Sequence, residues 1–111
     1  MPGQPMLVHL DDEHLADDAE RTAEVSGAID VFSSSLLPMR ALAGLPETAK
    51  SLVLDLRDVS FVDSAGISAL VKLQREARSR AVEVRARIGG AHSRINATVV
   101  EVIHRVLPCE D

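Results

Sequence analysis

The sequence has little of several residue types, and each shortage excludes a class of protein. A single cysteine, Cys109, cannot form an internal disulfide, so no feature indicates an oxidising compartment. The chain has no tryptophan or tyrosine and only two phenylalanines, so it offers no obvious platform for stacking bases or sugars. No apolar run approaches the length of a membrane span, and no charged start precedes an apolar segment. We therefore expect a soluble, cytoplasmic protein.

An excess of basic residues is also missing. The net charge is -5 over 111 residues, whereas a nucleic-acid binder needs a basic stripe to meet phosphates. A chain of this length fits one domain, residues 1–111, and can bury roughly two-thirds of its unfolded surface. We expect a single domain with a core that needs no disulfide or metal, and no nucleic-acid partner.

The most informative stretch runs from Ser51 to Leu73. Leucines at 52, 54 and 56 alternate with more polar residues, which predicts a strand that ends near residues 57–58. Small and apolar residues then recur at helical spacing at positions 66, 69, 70, 73 and 77. The helix must begin at Asp63 or Ser64, and either side chain is a suitable cap for the unpaired N–H groups of its first turn.

Similar patterns define the other elements. Alternation predicts a hairpin of two antiparallel strands at 6–10 and 21–29, joined by an acidic loop over 11–20, and a further strand at 82–88. A helix is expected from Ser34 or Ser35 to about Gly44, with Pro38 in its first turn, and a last helix with His92 or Ser93 near its start. The predicted fold is α/β in the order β-β-α-β-α-β-α. It is a four-stranded mixed sheet with its helices mainly on one face.

Ser64 has two interpretations. As a helix cap it would contribute on the order of 1 kcal/mol to stability, a common role for serine. As a phosphorylation site it would place a phosphate at a helix N-terminus, where the helix dipole tolerates an anion. That phosphate would also lie beside Asp63 and would change how this surface meets a partner.

Catalytic and metal-binding constellations are weak. The four histidines are scattered and none is placed beside Ser64 by local spacing, so no catalytic residue is expected. His9 and His14 with Asp11 and Asp12 are better explained as a solvated loop than as a ligand set. We expect a protein that is not an enzyme and has no metal or cofactor.

Three segments carry a family resemblance. VLDL at 53–56, FVDSAGI at 61–67 and SGAIDV at 26–31 resemble the signature of STAS domains, and within them the anti-sigma factor antagonists of bacteria. The similarity extends over about residues 23–107. It implies a protein that regulates transcription, as in stress responses, by binding another protein.

The resemblance also implies a switch. In the family, the serine matching Ser64 is phosphorylated by an anti-sigma factor that is itself a serine kinase of the GHKL ATPase type, and the unphosphorylated form binds that kinase. A phosphatase and a second copy of the chain are further partners that the resemblance allows. It assigns phosphorylation to Ser64 and partner binding to a set of six residues: Asp30, Asp63, Ser64, Ala65, Gly66 and Ile67.

The chain departs from the family pattern in the unusually acidic loop at 11–20 and in two further features, of which the short C-terminus supports an alternative. The family usually has a glycine in the turn where this chain has Ser79, Arg80 and Ala81, and it usually continues past the last helix into a further strand and helix. Here the sequence ends at 108–111, which predicts an open sheet edge where another chain could add. The alternative function is a constitutive scaffold or accessory subunit of a transport or stress-signalling assembly, with Ser64 only a cap.

Overall fold

The computed structural model describes residues 5–10, 20–89 and 94–110. It contains eight elements in these residues: β1 Leu7–Leu10, β2 Glu20–Ile29, α1 Leu36–Ala43, β3 Ser51–Val62, α2 Ser64–Ser79, β4 Glu83–Arg87, α3 Ala97–Val106 and β5 Cys109–Glu110. The predicted order β-β-α-β-α-β-α is confirmed, and the short β5 follows it. The acidic loop expected at 11–20 lies outside the described residues except for Glu20, which begins β2.

The strands form one sheet in the order β1-β2-β3-β4-β5. β1 is antiparallel to β2, as the predicted hairpin requires, and every other neighbouring pair is parallel. Because β2 and β3 are parallel, their carboxyl ends lie at the same end of the sheet. The turn from β2 to α1 and the turn from β3 to α2 are therefore neighbours in space, although more than thirty residues separate Asp30 from Asp63.

The core lies between one face of the sheet and the helices. Leu54 is in register with Ala23 on one side and with Ala86 on the other, so the alternation predicted for β3 continues across its neighbours. α2 packs against both α1 and α3, which places the three helices on the same side, as predicted. The helices contribute fully buried side chains to this core: Leu37, Ala41, Leu70, Leu73, Ala77 and Ile103.

β3 is longer than the sequence pattern predicted. The expected end near residues 57–58 is wrong, because pairing with β2 continues to Val62. Two register shifts each insert an extra residue into β3, one opposite Glu24–Ser26 and one opposite Gly27–Ala28. Each bulge reverses the side-chain alternation, so the second half of the strand does not show the period of two by which strands are detected.

The helix starts were predicted with mixed success. Pro38 is the third residue of α1, where it lacks an N–H that would have no partner in any case, so its predicted place in the first turn is confirmed. The expected start of the last helix at His92 or Ser93 is wrong. Residues 94–96 are not helical, and Asn96 caps α3 by accepting the N–H of Thr98 at 2.8 Å. His92 and Ser93 themselves lie outside the described residues.

The two departures from the family pattern have structural consequences. Ala81 has a φ of 59°, a left-handed conformation that favours glycine, so the glycine usual at this turn is replaced at some cost in backbone strain. The prediction of an open sheet edge is wrong for the last two residues of β4, because β5 pairs with them. β5 pairs Cys109 with Ala86, and the Ala86 N–H also donates to the carbonyl of Pro108 at 2.8 Å.

Candidate functional site

The turn between β3 and α2 is built around Asp63. Its backbone is extended, with φ -103° and ψ -172°, and its Oδ1 accepts the N–H of Gly66 at 2.9 Å. Its carbonyl accepts the N–H of Ile67 at 3.0 Å, the first helical bond of α2. Asp63 is therefore the N-cap, and the sequence alternative in which Ser64 caps the helix is wrong, because Ser64 is already the first helical residue.

Asp63 also joins this turn to the turn after β2. Its Oδ2 accepts the N–H of Val31 at 3.2 Å, and its own N–H donates to the carbonyl of Ile29 at 3.3 Å. One carboxylate thus accepts hydrogen bonds from α2 with one oxygen and from the β2–α1 turn with the other. Asp63 therefore holds the two turns together at this end of the sheet.

Asp30 organises the β2–α1 turn from inside. The residue is 7% exposed, and its Oδ1 accepts the N–H groups of Phe32 at 3.0 Å and Ser33 at 3.1 Å. The Ser33 hydroxyl accepts the N–H of Asp30 at 3.1 Å and donates to the carbonyl of Ala28 at 2.8 Å. These bonds compensate for the burial of a charged side chain, which is costly when unpaired. Asp30 therefore has a structural role, and partner contact through it stays a prediction.

Gly66 is required by close packing. A Cβ at this position would collide with the carbonyl oxygen of Ile29 and lie 2.8 Å from Cγ1 of Val62. Gly66 is buried against the end of β2, whereas the neighbouring Ala65 and Ile67 are partly exposed. The glycine of the motif thus allows α2 to begin directly over the sheet, and contact of these three residues with a partner stays a prediction.

Ser64 is exposed, unlike its neighbours Asp63 and Ala65, which are partly buried. It stands at the first position of α2, next to the capping carboxylate, and the cap is supplied by Asp63 instead of its own hydroxyl. Ser68, one helical turn further along, is exposed as well. The hydroxyl of Ser64 is therefore accessible to a modifying protein without any change in the fold.

Sequence reasoning missed the apolar side chains that surround this site. Val31 is 64% exposed, Phe32 is 85% exposed and Phe61 is 49% exposed. Val31 and Phe32 lie in the turn held by Asp30 and Asp63, and Phe61 is paired with Ala28 near the same end of the sheet. The sequence did offer one signal, because Phe32 and Phe61 are the only two aromatic residues of the chain. In the sequence Phe61 belongs to the FVDSAGI segment, whereas Phe32 follows the SGAIDV segment and belongs to no motif.

The face of the sheet away from the helices has a different character. Asp55 is 6% exposed, and the Arg57 guanidinium binds both of its oxygens, at 2.9 Å from Nε and 2.7 Å from Nη2. The hydrogen bonds from Arg57 hold the pKa of the Asp55 carboxyl below its usual range, although burial opposes them. Glu24, Asp58, Gly89 and Arg94 line the same open depression. Its charged groups include both signs, and Asp55 is fully engaged by its neighbour.

Two further properties bear on function. None of the helices in the described ranges is long and apolar enough to cross a bilayer. Among residues 5–10, 20–89 and 94–110, no three histidine, cysteine, aspartate or glutamate side chains converge as metal ligands would. At its surface the site presents an exposed hydroxyl, a capping carboxylate and exposed apolar side chains.

These observations define the class of protein: a small α/β domain whose parallel strands β2 and β3 direct two linked turns to one end of the sheet. The chain belongs to the STAS domain family, whose model matches residues 16–103. The family recognised from the three motif segments is thus confirmed, and the match includes Asp30, Asp63 and Ser64.

Solved structures with the same fold include anti-sigma factor antagonists and an anion transporter. The anti-sigma factor antagonist SpoIIAA in its unphosphorylated form is 14% identical, with a TM-score of 0.65 over 95% of this chain and 88% of that one. An anti-sigma factor antagonist from Mycobacterium paratuberculosis is 20% identical, with a TM-score of 0.57 over 92% and 94% of the two chains. The mouse anion transporter Slc26a9 is 26% identical over 78% of this chain, with a TM-score of 0.63, and this chain covers 14% of the transporter.

Proposed function

We propose that this protein is an anti-sigma factor antagonist that works by partner switching. In its unmodified form it binds an anti-sigma factor that is also a serine kinase of the GHKL ATPase type, and phosphorylation of Ser64 releases it. The observation that carries the proposal is that Ser64 is exposed at the first position of α2, whose N-cap is the neighbouring Asp63. A cytoplasmic location and a phosphatase that resets the switch belong to the same proposal.

The physical basis of the switch is charge. Phosphorylation adds about -1.5 to -2 charges at a surface that already carries the Asp63 carboxylate. Repulsion between one added charge and a like charge roughly 6 Å away, in an effective dielectric of about 20, weakens binding by a few kcal/mol, or about a hundredfold in affinity. The helix N-terminus accommodates the phosphate, so release of the partner requires no refolding.

The test uses the anti-sigma factor kinases of the source organism, purified one by one. Binding of the wild type, Ser64→Ala and Ser64→Asp is measured by calorimetry, and intact mass is recorded after incubation with kinase and ATP. We expect one kinase to bind the wild type and Ser64→Ala, to bind Ser64→Asp about a hundredfold more weakly, and to add one phosphate to the wild type only. Ser68→Ala is the matched control, because Ser68 is also exposed on α2 and should still be phosphorylated at Ser64. Equal binding of the Ala and Asp variants would exclude the switch.

A second candidate is supported by the 26% identity to the mouse transporter chain. In this alternative the domain is a constitutive accessory subunit of a transport or stress-signalling assembly, and Ser64 is an ordinary exposed residue. It predicts that intact-mass analysis of the protein from stressed and unstressed cells finds no phosphate. It also predicts that Ser64→Asp leaves assembly with the partner unchanged.

A further inference from the structure

We propose that the solvent-exposed side of α2 is the contact surface for a protein that presents carboxylates to it. This side, here called the α2 outer face, consists of exposed residues: Ser64, Ser68, Lys72, Arg75, Arg78 and Ser79. The inference rests on the proposed function for the identity of the partner, whereas the chemistry of the partner follows from the charges and the exposure of α2 itself.

The residues of the α2 outer face are arranged along one side of the helix. Ser64, Ser68, Lys72, Arg75 and Ser79 follow one another at intervals of three or four residues, so they form a continuous line. The half of this line that begins at Ser64 has only short hydroxyl side chains, and the cations lie further along. A partner that lies along α2 therefore meets both the serine and the cations.

The α2 outer face has the opposite charge to the protein as a whole. α2 contains the three cations Lys72, Arg75 and Arg78 and one carboxylate, Glu76, in a chain whose net charge is -5. Its first turn holds no acidic residue. α1, which packs against α2, adds a further cation, Arg40. A positively charged surface on an acidic protein attracts negative charge on a partner.

The cations in the middle of α2 remain available to another molecule. Arg78 lies in the last turn, where a cation stabilises the helix dipole, but Lys72 and Arg75 lie before that turn. Both are exposed, and neither forms an ion pair with another residue of the ranges 5–10, 20–89 and 94–110. α3, the other helix that packs against α2, offers exposed charges of both signs at Glu101 and Arg105. The charges of Lys72 and Arg75 are therefore free to meet carboxylates of a partner.

The α2 outer face suits a protein better than other anionic partners. Binding in a bilayer surface needs exposed apolar side chains, and none of the large apolar side chains exposed in the described ranges belongs to α2. A nucleic acid carries phosphates along its whole length and would also meet the acidic remainder of this chain. A protein, in contrast, can present a few carboxylates only where it meets α2. The partner is therefore a protein with an acidic contact surface.

An acidic partner also agrees with the sign of the proposed switch. Ser64 and Lys72 are eight residues apart on α2, which corresponds to about 12 Å along the helix axis. An ion pair requires about 4 Å between its charged atoms, so Lys72 is too far away to neutralise a phosphate on Ser64. A partner surface that is acidic along α2 would attract the cations at one end and repel the phosphate at the other.

Photo-crosslinking in the source cells tests whether this face meets a protein. Benzoylphenylalanine replaces Ser68 or, as the control, Arg85, an exposed residue of β4. We expect one protein to be cross-linked from position 68 and not from position 85. The proposal would be overturned by an absence of adducts at 68, by equal adducts at 85, or by adducts at 68 with lipid, nucleic acid or a second copy of this chain alone.

Affinity then tests whether the contact is electrostatic. The cross-linked protein is purified, and its binding is measured by calorimetry at about 0.1 M and about 1 M NaCl, where the Debye length is about 10 Å and about 3 Å. We expect the double variant Lys72→Gln, Arg75→Gln to bind about tenfold more weakly than the wild type at the lower salt concentration and equally at the higher one. Thermal melting is the check on folding and should be unchanged, because both side chains are exposed and glutamine is a good helix former.

The matched control is the double variant Arg85→Gln, Arg94→Gln. It removes the same amount of charge from exposed residues outside α2, and it should bind like the wild type at both salt concentrations. Equal weakening in this control would show that net charge matters and the α2 outer face does not. Unchanged binding by Lys72→Gln, Arg75→Gln would refute the acidic contact.

The two proposals fail in different ways. If the cross-linked protein needs Lys72 and Arg75 for binding but does not phosphorylate Ser64, the acidic contact stands and partner switching fails. If a kinase phosphorylates Ser64 and binds Lys72→Gln, Arg75→Gln as tightly as the wild type, partner switching stands and the acidic contact fails.

Discussion

The end of the sheet that carries Ser64 and the open face around Asp55 both contain carboxylates, but they use them differently. At the Ser64 end, Asp30 and Asp63 bind backbone N–H groups, and apolar side chains face solvent. On the open face, Asp55 binds the side chain of Arg57. Carboxylates that fix backbone leave the surrounding surface free for a partner, whereas a carboxylate paired with an arginine already has its charge neutralised.

An acidic residue in a motif is not automatically a contact residue. Asp30 and Asp63 were both expected at a partner interface, yet each makes hydrogen bonds that hold a turn in place. Their effect on binding would then act through the positions of Val31, Phe32 and Ser64. Four substitutions probe these two regions and a fifth probes a turn outside them, described from the largest expected effect to the smallest.

Gly66→Ala should have the largest effect on stability. The new Cβ meets the backbone carbonyl of Ile29, which cannot move aside, so we expect a loss of about 3 kcal/mol in the free energy of unfolding by urea. Gly44→Ala is the matched control, because there the Cβ meets the flexible end of the Leu10 side chain. Equal losses at the two glycines would contradict the close packing of α2 on β2.

Asp30→Ala should cost about 2 kcal/mol, because it leaves the N–H groups of Phe32 and Ser33 without their acceptor. Asp30→Asn keeps an acceptor oxygen and should retain most of the stability, as measured by thermal melting. If Asn and Ala are equally damaging, the charge of Asp30 matters more than its hydrogen bonds. If neither variant is destabilised but partner binding is lost, Asp30 is a contact residue.

Asp55→Asn should cost about 1.5 kcal/mol at neutral pH, because a charge-assisted pair with Arg57 is lost. The lowered pKa of Asp55 fixes the sign of the pH dependence. Its contribution is present above the unfolded pKa of about 4 and is lost as the pH falls through the lower folded value. The stability difference between wild type and variant should therefore shrink below about pH 4 in urea unfolding.

A matched control for the Asp55 pair is Glu83→Gln. Glu83 pairs with Arg85 at 2.9 Å, but both side chains are at least half exposed, so its removal should change stability by under about 0.5 kcal/mol. A gap between Asp55→Asn and wild type that stays constant from neutral pH to about pH 2 would show that the carboxylate form of Asp55 is not what stabilises the fold.

Ala81→Gly lies in neither region and calibrates the contribution of backbone strain. Because Ala81 has a positive φ, glycine should relieve strain and raise the free energy of unfolding by about 1 kcal/mol. Ser79→Gly in the last residue of α2 is the control and should lower it, since glycine destabilises helices. A loss of stability in Ala81→Gly would mean that the left-handed conformation is not retained.

Ser64→Ala should have the smallest effect on stability, under about 0.5 kcal/mol, because Asp63 supplies the cap and the serine side chain is exposed. Ser68→Ala should behave alike in the same thermal melts. A loss of 1 kcal/mol or more from Ser64→Ala alone would restore a capping role for this hydroxyl.

Much of the fold could be predicted because its signals are local. The alternation of Leu52, Leu54 and Leu56 and the stripe from Gly66 to Ala77 identified β3 and α2, and the segments around Asp30 and Ser64 identified the family. Errors arose where local signals were interrupted or duplicated. Two bulges interrupt the alternation in the second half of β3. The last helix is capped by Asn96, although His92 and Ser93 precede it in the sequence as candidate starts.

The candidate site was only partly predictable. Ser64 and Asp63 were adjacent in the motif, but sequence could not decide which of them caps α2, since both residue types are good caps. The choice depends on the extended backbone of Asp63, which the end of β3 imposes. Phe32 and Phe61 were missed because an apolar residue gives no local sign of whether it is buried or exposed.

The sequence by itself determined the order of strands and helices, the family and the position of the serine motif, because hydrophobic period and turn residues act over a few positions. Only the tertiary structure decided that Asp63 holds the turn of Val31, that Asp30 is buried and that both phenylalanines face solvent. Those facts depend on the parallel pairing of β2 with β3, which brings residues 30 and 63 together. Contacts between residues so far apart in the chain are set by the packing of the whole sheet.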